Sequence, residues 1–105
     1  MSYDSLDAFV RDLPQLAEPV RDSLVGHDGL FLLQCGEKSH YITLSQGAVT
    51  VSQVSDHAPL CVVSAEEKNL LDVINGKVNP MKALLFGKLS VRGDVKPLLR
   101  LCSLL

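Results

Sequence analysis

Apolar side chains at Leu6, Phe9, Leu13, Leu16, Ala17, Val20 and Leu24 recur in steps of three and four, the spacing of an amphipathic helix. Pro14 and Pro19 fall inside this pattern. Each lacks an N–H, and each ring clashes with the preceding turn. The sequence therefore predicts a helix over 6–12, a break or kink at Pro14, and a second helical piece towards Val25. Gly26, Asp28 and Gly29 end it. The period then changes to two. Strands are predicted over 30–35, with Phe31, Leu33 and Cys35 on one face, and over 40–44, with Ile42 and Leu44 on one face. A third covers 48–54, where Val49 and Val51 alternate with Thr50 and Ser52. Turns at Gly36-Glu37-Lys38 and Gln46-Gly47 separate them. Residues 60–63 are apolar throughout, which predicts an interior strand covered on both faces.

Ser64 followed by Glu67 has the form of a capping box, and Leu70, Leu71 and Ile74 form the buried stripe of the helix it would start. Asn75-Gly76 ends that helix. Asn79-Pro80 starts a short one, with Met81, Leu84 and Leu85 as its apolar side and Gly87 as its stop. A fifth strand is predicted over 88–92, with Leu89 and Val91 on one face. Gly93 turns the chain, and Asp94 caps a last helix with Pro97 in its first turn and Leu98, Leu101 and Leu105 along one side. Leu99, Cys102 and Leu104 widen that stripe. This order predicts an α+β fold: a five-stranded, mostly antiparallel sheet with helices packed on one face, forming one domain over 1–105.

Composition narrows the function classes. The chain has 105 residues, 47% of them hydrophobic but only 5% aromatic, so its core is built from Leu and Val rather than large rings. Ten basic and twelve acidic groups do not give the basic excess of a nucleic-acid binder. The charge is unevenly spread, however. Residues 76–105 hold six basic groups and one acid, Asp94. This basic third either faces anionic lipid head groups or an acidic ligand, or is a solvated face. Three widely spaced cysteines, Cys35, Cys61 and Cys102, form no disulfide framework and fit a reducing cytoplasm, where the protein is expected to reside. No signal peptide or membrane-spanning run is evident, so membrane contact is expected to be peripheral at most. Cys102-Ser103-Leu104-Leu105 fits the prenylation pattern and equally the end of a Leu-rich helix.

Candidate chemistry is sparse. His27, His40 and His57 stand near turns or strand ends, none at helical spacing from another His or a Cys, and no metal-ligand cluster is apparent. Cys35 and His40 across a hairpin are the nearest approach to a thiol–imidazole pair, yet all three cysteines lie in apolar runs suited to buried, inert thiols. Neither an enzyme activity nor a cofactor is expected.

Residues 75–94 read Asn-Gly-Lys-Val-Asn-Pro-Met-Lys-Ala-Leu-Leu-Phe-Gly-Lys-Leu-Ser-Val-Arg-Gly-Asp. This stretch resembles the signature of the sterol carrier protein two (SCP-2) domain family: a helix end, Asn-Pro, Lys-Ala, Gly-Lys-Leu, an alternating strand, and Gly-Asp. Phe9, Leu13-Pro14, Gly36, residues 41–44, Gly47 and residues 62–64 also fall where the family has them, so the resemblance covers nearly the whole chain. It implies an apolar tunnel between sheet and helices that accepts a fatty acid, acyl-CoA or sterol. On that basis the expected lining is Phe31, Leu33, Val62, Leu70, Ile74, Met81, Leu84, Phe86, Leu89, Val91, Leu98, Leu101 and Cys102. Lys77, Lys82, Lys96 and Arg100 are the candidates to hold an anionic head group. The alternative is an interaction module with a filled core, acting as a homodimer or as an accessory subunit of a lipid-related enzyme complex. Energetics bear on the choice. An empty apolar cavity costs on the order of 24 cal/mol per Å³, so about 300 Å³ costs roughly 7 kcal/mol, close to the whole stability of a small domain. Such a tunnel is expected to be occupied, wet or partly collapsed.

Overall fold

The computed structural model describes residues 2–94 together with Lys96 and Arg100. Helix α1 spans Leu6–Ala17, and Ser5 caps it by accepting the Ala8 N–H at 3.2 Å. It runs through Pro14 without ending, contrary to the break expected from the proline. The reason is the burial of the apolar face of the helix. Leu6, Val10, Leu13 and Ala17, at spacings of four, three and four, are all nearly inaccessible. Burying the three larger side chains contributes roughly 4.5–9 kcal/mol at 1.5–3 kcal/mol each. A proline in a helix interior costs about 3 kcal/mol, so packing outweighs it. Pro19 instead falls in the first turn of a 3₁₀ segment, Glu18–Val20, where no N–H is required of it. Helix α2, Arg21–Leu24, completes the second helical piece.

The sheet consists of β1 (Gly29–Cys35), β2 (Lys38–Ser45), β3 (Ala48–Ser52), β4 (Cys61–Ala65) and β5 (Leu89–Gly93) in the order β3-β2-β1-β4-β5. All neighbours are antiparallel except β1 and β4. The β2–β3 hairpin turns on Gln46 and Gly47, both at positive φ. Gly47 also lies under the carbonyl of Arg21, where a Cβ would stand 2.5 Å from that oxygen. Registration puts Phe31, Leu33, Cys35, Ile42, Leu44, Val49, Cys61, Val63 and Leu89 on one face, and all are buried there beneath the helices. β4 is interior to the sheet, as its apolar run predicts. It is not covered equally on both faces, because Val62 on the other side is only half-buried and Leu60, outside the strand, is exposed.

Helices α3 (Glu67–Ile74) and α4 (Pro80–Leu85) follow β4. The expected capping box does not form. Ser64 is a strand residue paired with Gln34 and Ser90, which moves the helix start past it. Glu67 serves another helix instead: its Oε2 accepts the Leu6 N–H at 2.9 Å, satisfying a free donor of the first turn of α1. Asn75 ends α3 as expected, and it also ties down the N-terminal segment. Its side chain accepts the Tyr3 N–H at 2.8 Å and donates to the Tyr3 carbonyl at 2.9 Å.

Candidate functional site

Two regions hold the residues singled out from the sequence. The first is polar. His40 on β2 is the buried polar residue of the sheet, only 7% exposed. Its Nε2 stands 3.2 Å from Asp7 Oδ1, although it makes no regular hydrogen bond among the described residues. Asp7 Oδ2 accepts from Lys38 Nζ, also at 3.2 Å. Glu37, Ser39 and Gln53 complete an open cleft around these groups. Asp7 thus fastens the first turn of α1 to β2, which is a structural role. The hydrogen bond from Lys38 is the main reason its carboxyl lies below the ordinary value of 3.8, with the charges of Lys38 and His40 adding to it against some desolvation.

A depressed folded-state pKa gives stability that is present above the unfolded value and lost as pH falls through the folded one. Asp7→Asn removes that titration. Its urea midpoint is expected to fall less between about pH 7 and about pH 3 than that of the wild type. An identical acid dependence in the two proteins would remove Asp7 from the account. Nothing here activates a thiol. Cys35 and Cys61 are both buried, and burial is the main cause that pushes each thiol pKa up, away from the reactive thiolate.

The second region is apolar and is built by residues 67–94. Asn79 caps α4 by accepting the Met81 N–H at 2.8 Å, and Pro80 occupies the first turn. The helix closes with two reversed hydrogen bonds, Gly87 N–H to the Leu84 carbonyl and Lys88 N–H to the Ala83 carbonyl. Caps at both ends fix the rotation of this six-residue helix. Its buried residue is Ala83, which is small enough to let the backbone lie close to its neighbours. Met81, Leu84 and Leu85 do not form the buried side expected of them; they are exposed. α4 packs against α3 and β5. Where the three meet, Leu70 and Leu89 are buried and Ile74, Val78 and Val91 are half-buried against the core.

The expected lining residues therefore separate into groups. Phe31 and Leu33 are deep in the packed core, Phe31 being wholly inaccessible. Leu70 and Leu89 are buried in the core, and Ile74 and Val91 are partly buried and packed against it. Val62 is corrected: in register with Leu32, it points to the opposite face of the sheet from Phe31 and Leu33, away from the helices. Met81 and Phe86 are exposed, at 61% and 74%, and Leu84 at 38%. Leu98, Leu101 and Cys102 lie outside the described residues. Lys77, Lys82, Lys96 and Arg100 are all exposed. Asp94 accepts the Lys96 N–H at 3.0 Å, the contact of a helix cap. The remainder of the expected last helix lies outside the described residues. Sequence reasoning missed the turned face of α4. The one available signal was Ala83, the small residue that a close approach needs.

The model of the SCP-2 sterol transfer family matches residues 11–105. The chain belongs to this family. Lipid binding and transfer are the property of the SCP-2 family as a whole. Solved structures share the fold. The sec-alkylsulfatase Pisa1 from Pseudomonas sp. aligns with a TM-score of 0.83 at 22% identity, covering 94% of this chain but 16% of that one. The chain thus corresponds to a small part of that enzyme. A UbiJ-SCP2 ubiquinone synthesis protein aligns with a TM-score of 0.73 at 17% identity, over 93% of this chain and 90% of that one. Palmitated SCP2L2 from Aedes aegypti aligns with a TM-score of 0.70 at 18% identity, over 94% and 92%. These identities establish likeness of fold. Among curated protein sequences, none matches the chain.

Proposed function

We propose that this SCP-2 chain is a non-enzymatic carrier that binds the apolar tail of a lipid where α3, α4 and β5 meet. The tail is that of a fatty acid, an acyl thioester or a sterol-like molecule. The observation that carries this reading is the apolar set Leu70, Ile74, Leu89 and Val91, buried in or packed against the core of a member of a lipid-transfer family and proposed to form one wall of the lipid site. Each buried methylene contributes about 0.8 kcal/mol, so a tail of about eight methylenes gains roughly 6 kcal/mol before ordering costs. Lys77, Lys82, Lys96 and Arg100 are proposed to meet an anionic head group. Leu98, Leu101 and Cys102 are proposed to add to the lining.

The test combines native mass spectrometry of the purified protein with thermal unfolding in the presence of palmitate. Bound lipid is expected in the spectrum after mild purification. Palmitate at about one hundred times its Kd is expected to raise Tm on the order of 10 °C. Ile74→Asn, at a half-buried position of the wall, is expected to weaken palmitate binding about tenfold. Recovery of no lipid, with no thermal shift from palmitate, overturns the carrier reading in favour of the filled-core interaction module.

A further inference from the structure

The geometry points to the tip of α4 as a docking surface for an anionic lipid bilayer. Leu85 is 81% exposed, Phe86 74% and Met81 61%, and Leu84 is beside them. These are the most prominent large apolar side chains of residues 76–94, and they are grouped on a single turn. At about 100° per residue, Leu84, Met81 and Leu85 span roughly 100° of the helix circumference, with Lys82 beside Leu85, Phe86 following at the C-cap and Ala83 on the other side. The Asn79 cap and the two closing hydrogen bonds hold this arrangement in place.

Charge identifies the occupant. Residues 76–93 hold Lys77, Lys82, Lys88 and Arg92 and no Asp or Glu. All four cations are exposed, and none takes part in an ion pair among the described residues. Residues 1–75, by contrast, hold four basic and eleven acidic groups. An apolar tip with a cationic surround matches the boundary between acyl chains and anionic head groups, each Lys or Arg near that surface adding to the attraction. The arrangement of side chains favours a bilayer over a protein partner. Helix-in-groove binding uses a stripe on one face. On α4 the exposed Lys82 falls between Leu85 and Phe86, so apolar and cationic side chains alternate around the tip, as they do at the boundary between acyl chains and anionic head groups.

This inference concerns the outer surface and goes beyond the carrier reading. If both hold, docking brings the wall of α3, α4 and β5 to the lipid it loads. Vesicle binding needs no ligand and palmitate uptake needs no vesicle, so either can fail alone.

The test is co-sedimentation of the full chain with vesicles of phosphatidylcholine alone and of phosphatidylcholine with about one-third phosphatidylglycerol. The wild type is expected to bind the anionic vesicles, to ignore the neutral ones, and to be released by salt as the Debye length shrinks. The double variant Leu85→Ser/Phe86→Ser and the double variant Lys82→Glu/Lys88→Glu are each expected to lose roughly tenfold or more in partitioning. All four side chains are exposed, so thermal unfolding of both variants should match the wild type and separate lost docking from lost folding. Equal binding to neutral vesicles, or wild-type binding by both variants, overturns the proposal. So does a wild-type chain that ignores all vesicles and sediments as a dimer dissolved by Leu85→Ser/Phe86→Ser, which assigns the tip to a second copy. Capture of an acidic protein in place of vesicles overturns it in the same way.

Discussion

Phe31→Ala is expected to lower the free energy of unfolding by about 3–5 kcal/mol, a large part of the stability of a domain this size. Phe31 is wholly buried in the middle strand of the sheet, in register with Ile42 on one side and Cys61 on the other. Among the described residues it is the largest side chain fully inside a core that otherwise consists of aliphatic residues and two cysteines. Removing the ring loses its transfer free energy and leaves a void that Leu and Val neighbours held by strand backbones cannot close. Urea unfolding at equilibrium measures the effect. Phe31→Leu keeps most of the volume and should cost less than half as much. A loss below about 1 kcal/mol for Phe31→Ala would mean that the site collapses freely, and the core would then be less tightly packed than it is drawn here.

Gly93→Ala is expected to cost at least about 3 kcal/mol, although it adds a single methyl group. Two penalties combine. Gly93 adopts φ +97°, a conformation that L side chains rarely take, which alone costs of order 1–3 kcal/mol. A Cβ there would also collide with the carbonyl oxygen of Leu60, a backbone atom that cannot swing aside. The same carbonyl accepts the Asp94 N–H at 3.0 Å, and Gly93 is in register with Cys61 at the end of β5. The collision therefore disturbs both the β4–β5 pairing and the chain's exit from it. Thermal unfolding is the measurement. A Gly93→Ala protein with the wild-type Tm would show that β5 can pull away from Leu60 at no cost.

These two positions mark different degrees of legibility. Phe31 could be placed in the core from sequence, because period-two alternation with Leu33 and Cys35 puts all three on one face and the structure buries all three. Gly93 could be read as a turn glycine, but the close approach of Leu60 could not. That contact joins β5 to the residue just before β4, more than thirty positions away, and has no local signature. The same division runs through the candidate site. Asn79 and Pro80 define the start of α4 from their own chemistry, and the structure agrees. The side of α4 that faces inward differs from the one its apolar residues predict. Apolarity selects Met81, Leu84 and Leu85, whereas the space beside α3 and β5 admits only Ala83. The resemblance puts Val62 in the lining, yet strand alternation beside Val63 turns it to the far face.

What the sequence determined by itself was the set of elements, their periods and most of their ends. Alternation, caps and turn residues act within a few positions of one another, and those energies are present before any tertiary contact forms. It also carried the family signature in residues 75–94. The tertiary structure alone decided that α1 passes through Pro14, that Glu67 caps α1 rather than its own helix, and that Leu85 and Phe86 face outward. Each of these was settled by how elements pack on one another and not by the residues of one element alone. In α1 the burial of Leu6, Val10 and Leu13 amounts to several kcal/mol and exceeds the local cost of a proline. In α4 the caps and the close approach at Ala83 fix a rotation that hydrophobicity alone would have reversed.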